Sequence, residues 1–272
     1  MISFFKNKNA NLIEIRFEGG LGTQILQAAT FFDMKSLGEM VDSNFSYFEN
    51  NEADLESVLE ESKLKKVLNK RPWSLDIFNI TIKDIQLRCD QPINMKKVQA
   101  GNALIFERGL NALKKIEIKK LFIPKAEKVF TNCINIDHAQ PFICIHMRRG
   151  DYLTVSSHII SDDEFLGIAK TFSNLVKTAV FISDSPIKST FQKNIQEYFE
   201  CAHFLDSIDP LHAHILMRKA TILICSNSTF SLTAALLGEN KIKIIPKTWF
   251  GKNNEVKLQN IIASIGDFQI LP

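Results

Sequence analysis

The chain begins with a change in the period of its hydrophobic residues. Residues 11–17, NLIEIRF, alternate apolar and polar side chains, which is typical of a half-buried strand. The glycine-containing turn EGGLGTQ follows, and from Gln24 to Leu37 apolar side chains recur at helical spacing. The pattern predicts a strand, a glycine loop and a helix.

The second half of the chain repeats one arrangement. Short apolar runs, typical of buried strands, occupy Phe142–Ile145, Ala179–Ile182, Ala202–Leu205, Ile222–Cys225 and Ile242–Ile245. Segments of helical length and period lie between them, at Asp162–Val176, Ile187–Phe199 and Leu211–Ala220. Alternating strands and helices predict an α/β fold with a parallel sheet and helices on both of its faces.

The length of 272 residues fits two domains. The polar stretch from Pro124 to Gln140 is the best boundary, and it divides the chain into α/β domains of residues 1–135 and 136–272. We expect ligands to bind in a cleft between the domains, at the carboxyl ends of the strands.

Composition excludes several classes of function. With 33 basic and 30 acidic residues the net charge is only +3, so nothing favours nucleic acid as a partner. Five cysteines without a C-x-x-C pair indicate free thiols and a cytoplasmic location. The uncharged stretch Ala220–Gly238 is interrupted by hydroxyl and amide side chains, which argues against a membrane span.

A basic amphipathic helix is predicted at Gly109–Phe122, GLNALKKIEIKKLF. Its lysines fit an ordinary solvated helix face. They also fit peripheral docking to an anionic membrane surface, and both interpretations are open.

The strongest chemical signal is CIHMRRGDY at residues 144–152, where an apolar strand ends in His146, Arg148, Arg149 and Asp151. Two guanidinium groups at the end of a strand predict a fork that binds an anion such as phosphate. The alternative is a structural ion pair between Asp151 and one of the arginines.

Two other strands also end in polar clusters. After Ile222–Cys225 come Ser226, Asn227, Ser228 and Thr229, just before a predicted helix. Backbone N–H groups and hydroxyls there predict an anion site, and an ordinary helix cap is the alternative. In FISDSP, Asp184 could accept hydrogen bonds from a base or a sugar, or cap a helix begun by Pro186.

The glycine loop resembles a dinucleotide-binding fingerprint without matching it. Gly20 and Gly22 have the right spacing, but the third glycine is missing. Because Asp42 lies where a ribose-binding acid is expected, an NAD(P)-dependent oxidoreductase is an alternative function.

Metal-binding motifs are absent. The sequence has no Asp-x-Asp pair, no Cys/His cluster and no Walker-type loop, so no metal is expected. The acidic run Asp162–Glu164 is predicted to complement the dipole at the start of a helix.

Taken in order, FEGGLGTQ, IHMRRGDY, FISDS, SNSTFSLTAALL and IIPKTWF resemble the motifs of bacterial α-1,2-fucosyltransferases. These enzymes form glycosyltransferase family 11 within a wider GT-B fucosyltransferase superfamily. The resemblance implies a GT-B-type fold, with two Rossmann-like domains facing a cleft. It also implies residues 1–135 on the acceptor side, residues 136–272 as the GDP-sugar domain, and a GDP-β-L-fucose donor.

The resemblance also implies roles at the first motif. Arg148 would hold the donor phosphates and stabilise the departing GDP, so that no metal or other cofactor is required. His146 would act with Arg148 in catalysis, and Arg149 would support donor binding.

The remaining donor contacts implied by the resemblance lie in two later motifs. Asn227, Ser228 and Thr229 would contact the phosphates, and Asp184 would lie near the guanine or its ribose.

The acceptor-side loop implied by the resemblance comprises Gly20, Gly22, Thr23 and Gln24. Several positions depart from the family pattern. Thr23 stands where the family has Asn, Leu232 and Thr233 where two Trp are common, and Ser185 where a second Asp is usual. A non-catalytic GDP-sugar-binding relative is therefore a further alternative.

The function predicted from the sequence is inverting transfer of L-fucose from GDP-fucose to an acceptor oligosaccharide, with α-1,2 linkage to galactose. Bacterial relatives extend surface polysaccharides. The acceptor is therefore expected to be lipid-linked, with the enzyme at the inner face of the membrane.

Overall fold

A computed structural model of the chain describes residues 12–49, 71–86, 97–124, 140–154, 159–246 and 267–270. The chain divides into two compact units, Met1–Ile123 and Pro124–Pro272. The predicted division between residues 135 and 136 lies in the stretch 125–139, outside the described residues.

The first unit contains a parallel sheet of three strands in the order β2-β1-β3. These strands are β1 (Leu12–Arg16), β2 (Val41–Asn44) and β3 (Lys97–Gln99). Its helices are α1 (Leu21–Ser36), α2 (Ser46–Glu49), α3 (Ile82–Ile85), α4 (Asn102–Ala112) and α5 (Ile116–Leu121). The predicted start of strand, glycine loop and helix is confirmed.

Helix α1 is the core helix of this unit and packs closely against α4. The contact is made at Gly109, where an added Cβ would lie 2.7 Å from the Leu26 carbonyl oxygen. The Thr30 hydroxyl lies 2.9 Å from the same oxygen and 3.1 Å from the Ile105 carbonyl oxygen. A glycine is therefore needed at this helix crossing, because the obstructing atom belongs to the backbone.

Gly109→Ala is expected to lower the free energy of unfolding by about 1–3 kcal/mol, since the two helices must move apart. Gly167→Ala is the matched control. Gly167 lies in a helix of the second unit with no atom within 4 Å of its added Cβ. That substitution should raise stability by about 0.5–1 kcal/mol. Urea unfolding followed by circular dichroism measures both, and equal stability of the two variants would contradict the tight crossing.

The predicted single helix Gly109–Phe122 is wrong in one respect, because the chain forms α4 and α5 with a turn between them. Leu113 and Ile118 are both buried. On one continuous helix they would point about 140° apart, so the break lets both face the core. The turn also lets Lys115 Nζ approach Asp33 Oδ1 to 2.5 Å.

The second unit contains a six-stranded parallel sheet in the order β6-β5-β4-β7-β8-β9. Its strands are β4 (Phe142–Met147), β5 (Thr178–Ser183), β6 (Cys201–Leu205), β7 (Ile222–Ile224), β8 (Ile242–Ile245) and β9 (Phe268–Ile270). The helices are α6 (Asp162–Phe172), α7 (Ser189–Gln196), α8 (Pro210–Lys219) and α9 (Thr229–Leu237). Every apolar run predicted as a strand is confirmed.

The strand order reverses at β4. From β4 the chain adds β5 and β6 on one side, then returns to place β7, β8 and β9 on the other. Because crossovers between parallel strands are right-handed, α6 and α7 cover one face of the sheet and α8 and α9 cover the other. Such a reversal leaves a crevice between the carboxyl ends of β4 and β7, where ligands bind in open α/β sheets.

The predicted fold class is confirmed: each unit is a Rossmann-like α/β structure with only parallel strand pairs among its described residues. The cleft between the two remains a prediction. Across the described ranges, no helix is long and apolar enough to cross a bilayer.

Candidate functional site

The two strongest sequence motifs meet at the reversal point of the second sheet. Strand β4 carries His146 and is followed by Arg148, while β7 is followed by the segment Ser226–Thr229. His146 Nδ1 lies 2.7 Å from Ser226 Oγ, so a hydrogen bond links the two strand ends. Residues far apart in the chain thus lie together at this edge of the sheet.

His146 is buried and neutral. Its side chain is 3% exposed, and its ring centroid lies 5.5 Å from that of Phe230. Burial, with the Arg148 charge as a smaller cause, lowers the pKa of His146 to about 3. This environment suits a hydrogen-bonding support for the Ser226 loop and does not suit a proton acceptor at neutral pH.

Arg148 is held by the end of the neighbouring strand β5. Its Nη1 lies 2.5 Å from Asp184 Oδ2, and its guanidinium lies 5.2 Å from the centroid of the Tyr152 ring. About a fifth of the side chain is exposed. Arg148 is thus oriented by a carboxylate and still accessible at the strand end.

Asp184 holds the backbone of the arginine turn as well. Its Oδ1 accepts a hydrogen bond of 2.7 Å from the Arg149 backbone N–H. Gly150 has φ of +24°, and a Cβ there would lie 2.6 Å from Asp184 Oδ2. The Gly150 N–H donates to Ser185 Oγ at 3.1 Å. Asp184 and Ser185 therefore accept hydrogen bonds from the backbone of a turn that requires glycine at position 150.

This geometry changes the interpretation of Asp184. Both of its carboxylate oxygens face the arginine turn, so the expected contact with guanine or ribose has no support here. The alternative role as a helix cap is wrong, because α7 begins at Ser189 with Lys188 as its N-cap.

Arg149 points elsewhere, so the predicted fork of two guanidinium groups is not formed. Arg149 Nη2 lies 2.6 Å from Asp162 Oδ1, and Nη1 donates to the Ile160 carbonyl. Both arginines follow Met147, the last residue of β4, and in the turn after the strand their side chains have different partners. The side chain of Asp151 lies outside those described, so its predicted pairing stays a prediction.

Two helix starts at this edge of the sheet differ in charge. Helix α6 begins with Asp162, Asp163 and Glu164, and Ser161 and Glu164 form a capping box. The predicted dipole-complementing role of this acidic run is confirmed. Helix α9 has no acidic residue in its first turn. Of the two, α9 is the one whose electrostatics favour an anion.

The start of α9 is built by the second motif. Ser228 is its N-cap, and its Oγ accepts a hydrogen bond of 3.3 Å from the Phe230 N–H, which confirms the cap interpretation. Asn227 and Ser228 are buried, whereas Thr229 is half-buried. A cap and an anion site are compatible, because further N–H groups of the first turn lie beyond the cap.

A series of hydrogen-bonded polar side chains that no sequence motif predicted lies behind this loop. Arg218 Nε donates to His214 Nδ1 at 3.0 Å, and His214 Nε2 lies 3.2 Å from Thr233 Oγ1. Since Nδ1 accepts, Nε2 carries the proton and donates to Thr233. Burial is the main cause that lowers the pKa of His214 well below its usual value. Only the four-residue spacing of His214 and Arg218 on a helix could have suggested the contact.

The hydrogen-bonded series Arg218–His214–Thr233 gives a structural reason for one departure from the family pattern. Thr233 connects α9 to α8 through His214. Leu232 is 1% exposed and belongs to the core. Both residues therefore have structural roles at the positions where the family often carries Trp.

A cavity of about 580 Å³ lies at the same edge of the sheet, on the side of α6 and α7. Its lining includes Met147 and Ser183 at the ends of β4 and β5, with Arg149 and Lys188. Arg148 and the segment Ser226–Thr229 do not line it. The cavity and the start of α9 are thus different parts of this edge.

In the first unit, the glycine loop is held by buried amides. Gln24 is fully buried, and its Nε2 donates to the carbonyls of Gly19 at 2.8 Å and Pro72 at 2.9 Å. Its Oε1 accepts from the Ser74 N–H at 2.8 Å. The expected acceptor-facing role of Gln24 therefore does not fit, because its side-chain oxygen and nitrogen bind the scaffold.

The other residues of the glycine loop differ in their exposure to solvent. Gly20 is the N-cap of α1 and is partly exposed, as is Thr23, whereas Gly22 is buried. Gly20 and Thr23 are the candidates that a ligand could reach, and their acceptor role stays a prediction.

The oxidoreductase alternative finds no support in this unit. Asp42 lies within β2, opposite Glu14 of β1, and not at the carboxyl end of the strand where a ribose would bind. Its Oδ2 pairs with Lys97 Nζ at 2.7 Å. Among the residues described, no three His, Cys, Asp or Glu side chains form a cluster that could hold a metal.

Comparison with known proteins agrees with the motif resemblance. A family model for Glycosyl transferase family 11 matches residues 116–264, more than half of the chain. This range contains the arginine motif at the end of β4 and the Ser226–Thr229 segment after β7, and it excludes the glycine loop. Residues 247–250 of the IIPKTWF segment lie outside the described residues. The search of curated proteins finds no match.

Solved structures are similar at low identity. A crystal structure of POFUT1 in complex with GDP is 14% identical over 86% of this chain and 97% of that chain, with a TM-score of 0.45. The E. coli heptosyltransferase WaaC with ADP is 9% identical over 86% of each chain, with a TM-score of 0.46. A family 9 glycosyl transferase from Veillonella parvula DSM 2008 is 11% identical over 97% of this chain and 87% of that chain, with a TM-score of 0.45. On the match of its family model, the chain belongs to glycosyl transferase family 11.

Proposed function

We propose that the protein is an inverting fucosyltransferase that moves L-fucose from GDP-β-L-fucose to an acceptor glycan, forming an α-1,2 linkage to galactose. Family membership makes it a glycosyltransferase of the α-1,2-fucosyltransferase family. Fucose as the sugar and galactose as the acceptor are supported by the motif resemblance.

The observation that carries the proposal is the placement of Arg148 at the reversal point of the sheet. Asp184 holds this guanidinium beside the end of β4. Two residues earlier, His146 is hydrogen-bonded to Ser226 in the loop before α9, so β4 and that loop are joined at the same edge of the sheet. A diphosphate placed here would meet one cation and the N–H groups of a helix start without an acidic first turn.

The proposed reaction is a direct displacement at the anomeric carbon. The acceptor hydroxyl attacks C1 on the face opposite GDP, the C1–O bond to the β-phosphate breaks, GDP leaves with the bonding electrons, and the hydroxyl proton passes to solvent water. Negative charge grows on the departing phosphate, and Arg148 stabilises that charge more strongly in the transition state than in the ground state. Because the guanidinium supplies the positive charge, the proposal requires no metal.

Asp184 gains a positioning role in this scheme. It keeps Arg148 in one orientation before the donor binds, which lowers the reorganisation needed in the reaction. His146 supports the same loop as a neutral hydrogen-bonding partner. We assign no general base.

We expect GDP to raise the melting temperature, because a ligand that binds only the folded state stabilises it by about 2.7 kcal/mol at 100 times its dissociation constant. Thermal-shift measurements with GDP, ADP and NADH test this prediction. NADH stabilisation without a GDP effect would favour the oxidoreductase and contradict the proposal.

A second measurement tests whether the protein transfers sugar. The protein is incubated with GDP-fucose or GDP-mannose and galactose-terminated acceptors, and the product linkage is determined by NMR. Stabilisation by GDP without hydrolysis or transfer would identify a non-catalytic relative. Transfer of mannose instead of fucose would replace the proposed donor.

A further inference from the structure

The first unit exposes a surface that its own fold leaves uncovered. Helix α5 inserts Ile118 into the core, and Phe122 just beyond it is fully buried. On the solvent side Ile116 is 69% exposed, Ile123 is 58% exposed and Leu121 is 36% exposed. Single exposed apolar residues are normal, whereas three within eight residues are a local concentration that calls for an explanation.

The same surface is basic. Lys114 and Lys120 are exposed and Lys119 is half-buried, whereas Glu117 is the only acidic residue of α5. Lys115 does not contribute, because its Nζ pairs with Asp33 on the side of α1. We call Lys114, Ile116, Lys119, Lys120, Leu121 and Ile123 the α5 surface. It combines exposed apolar side chains with a local excess of positive charge.

We propose that the α5 surface docks on the anionic face of a lipid bilayer. Isoleucine and leucine side chains would enter the boundary between headgroups and acyl chains, and the lysines would reach the phosphates along their flexible stems. A protein partner fits less well, because protein interfaces are depleted of lysine and depend on aromatic and arginine anchors, which this surface lacks. The attachment is peripheral. It goes beyond the proposed function and does not depend on the donor.

The test is sedimentation of the full-length protein with lipid vesicles. The protein is expected to bind vesicles of phosphatidylcholine with 30% phosphatidylglycerol more tightly than pure phosphatidylcholine vesicles, and less tightly as salt rises. The double variant Ile116→Ser/Ile123→Ser should weaken binding at least tenfold by removing the apolar tips. Lys119→Glu/Lys120→Glu should weaken it to a similar extent by reversing the local charge.

Leu175→Ser is the matched control, because Leu175 is 62% exposed but lies beyond α6 in the second unit. Its vesicle binding should stay within twofold of the wild type, and circular dichroism should show that all variants remain folded. Equal binding to neutral and anionic vesicles would overturn the proposal. It would also fail if the isoleucine variant bound as tightly as the wild type, or if that variant instead dissolved a dimer seen by size-exclusion chromatography.

Discussion

Arg148→Ala is expected to lower kcat for sugar transfer by about 100- to 1000-fold, which is the usual cost of removing one preorganised charge-stabilising donor. The loss should fall on kcat, because the proposed interaction strengthens as charge builds on the leaving phosphate. Steady-state kinetics with saturating GDP-fucose measure it. A folded variant that retains more than a tenth of the wild-type kcat would remove Arg148 from this role.

Variants at Arg148 and Asp184 test whether the geometry of the guanidinium matters as well as its positive charge. Arg148→Lys should also be slow, because an ammonium cannot contact Asp184 and a phosphate with the geometry of a planar guanidinium. Asp184→Asn, which keeps an oxygen for the Arg149 N–H but loses the ion pair, should lie between wild type and Arg148→Ala. Lys177→Ala serves as the control, since this lysine is 78% exposed and pairs only with Glu200 in the described structure. Its kcat should be unchanged.

Arg149→Ala gives a useful contrast at the adjacent position. Arg149 is 11% exposed and joins β4 to the start of α6 through Asp162, so its removal should lower stability by about 2 kcal/mol. The kcat of the folded fraction should fall much less than for Arg148→Ala.

The architecture of the second unit follows from its sequence because buried parallel strands are nearly continuous apolar runs. Strands β4 and β5 stand out for this reason. Their ends are also predictable, since Arg148 and Asp184 are the first charged residues after each run. The rule that carboxyl ends of parallel strands share one edge is then enough to place the β4 and β7 motifs together.

The direction of each side chain could not be predicted in the same way. Arg148 and Arg149 lie in the turn just beyond β4, and the backbone of that turn directs Arg148 to Asp184 and Arg149 to Asp162. The burial of the Gln24 side chain could not be predicted either, because it depends on residues that are distant in the sequence. Its partners Pro72 and Ser74 lie in a stretch without a clear hydrophobic period, and no local pattern shows that this amide is buried.

Because of two buried histidines, His146 at the site and His214 behind it, we expect the protein to lose stability in mild acid. In the unfolded chain a histidine has a pKa of about 6.5, whereas burial lowers the pKa of His146 to about 3 in the folded protein. Below pH 6.5 the unfolded state therefore binds a proton that folded His146 does not. The stabilising contribution is present above pH 6.5 and is lost as pH falls. From pH 7 to pH 5 this one group should lower the free energy of unfolding by about 2 kcal/mol.

His214 acts with the same sign, because burial lowers its pKa and the hydrogen bond from Arg218 requires an unprotonated Nδ1. Urea unfolding at pH 7, 6 and 5 tests the pair. His146→Asn and His214→Gln each remove one titrating group and should flatten the dependence on pH. Phe230→Leu is the control, since this ring contacts both imidazoles. It should lower stability at every pH and leave the slope intact. If each histidine variant kept the full wild-type slope, the acid sensitivity would arise elsewhere in the chain.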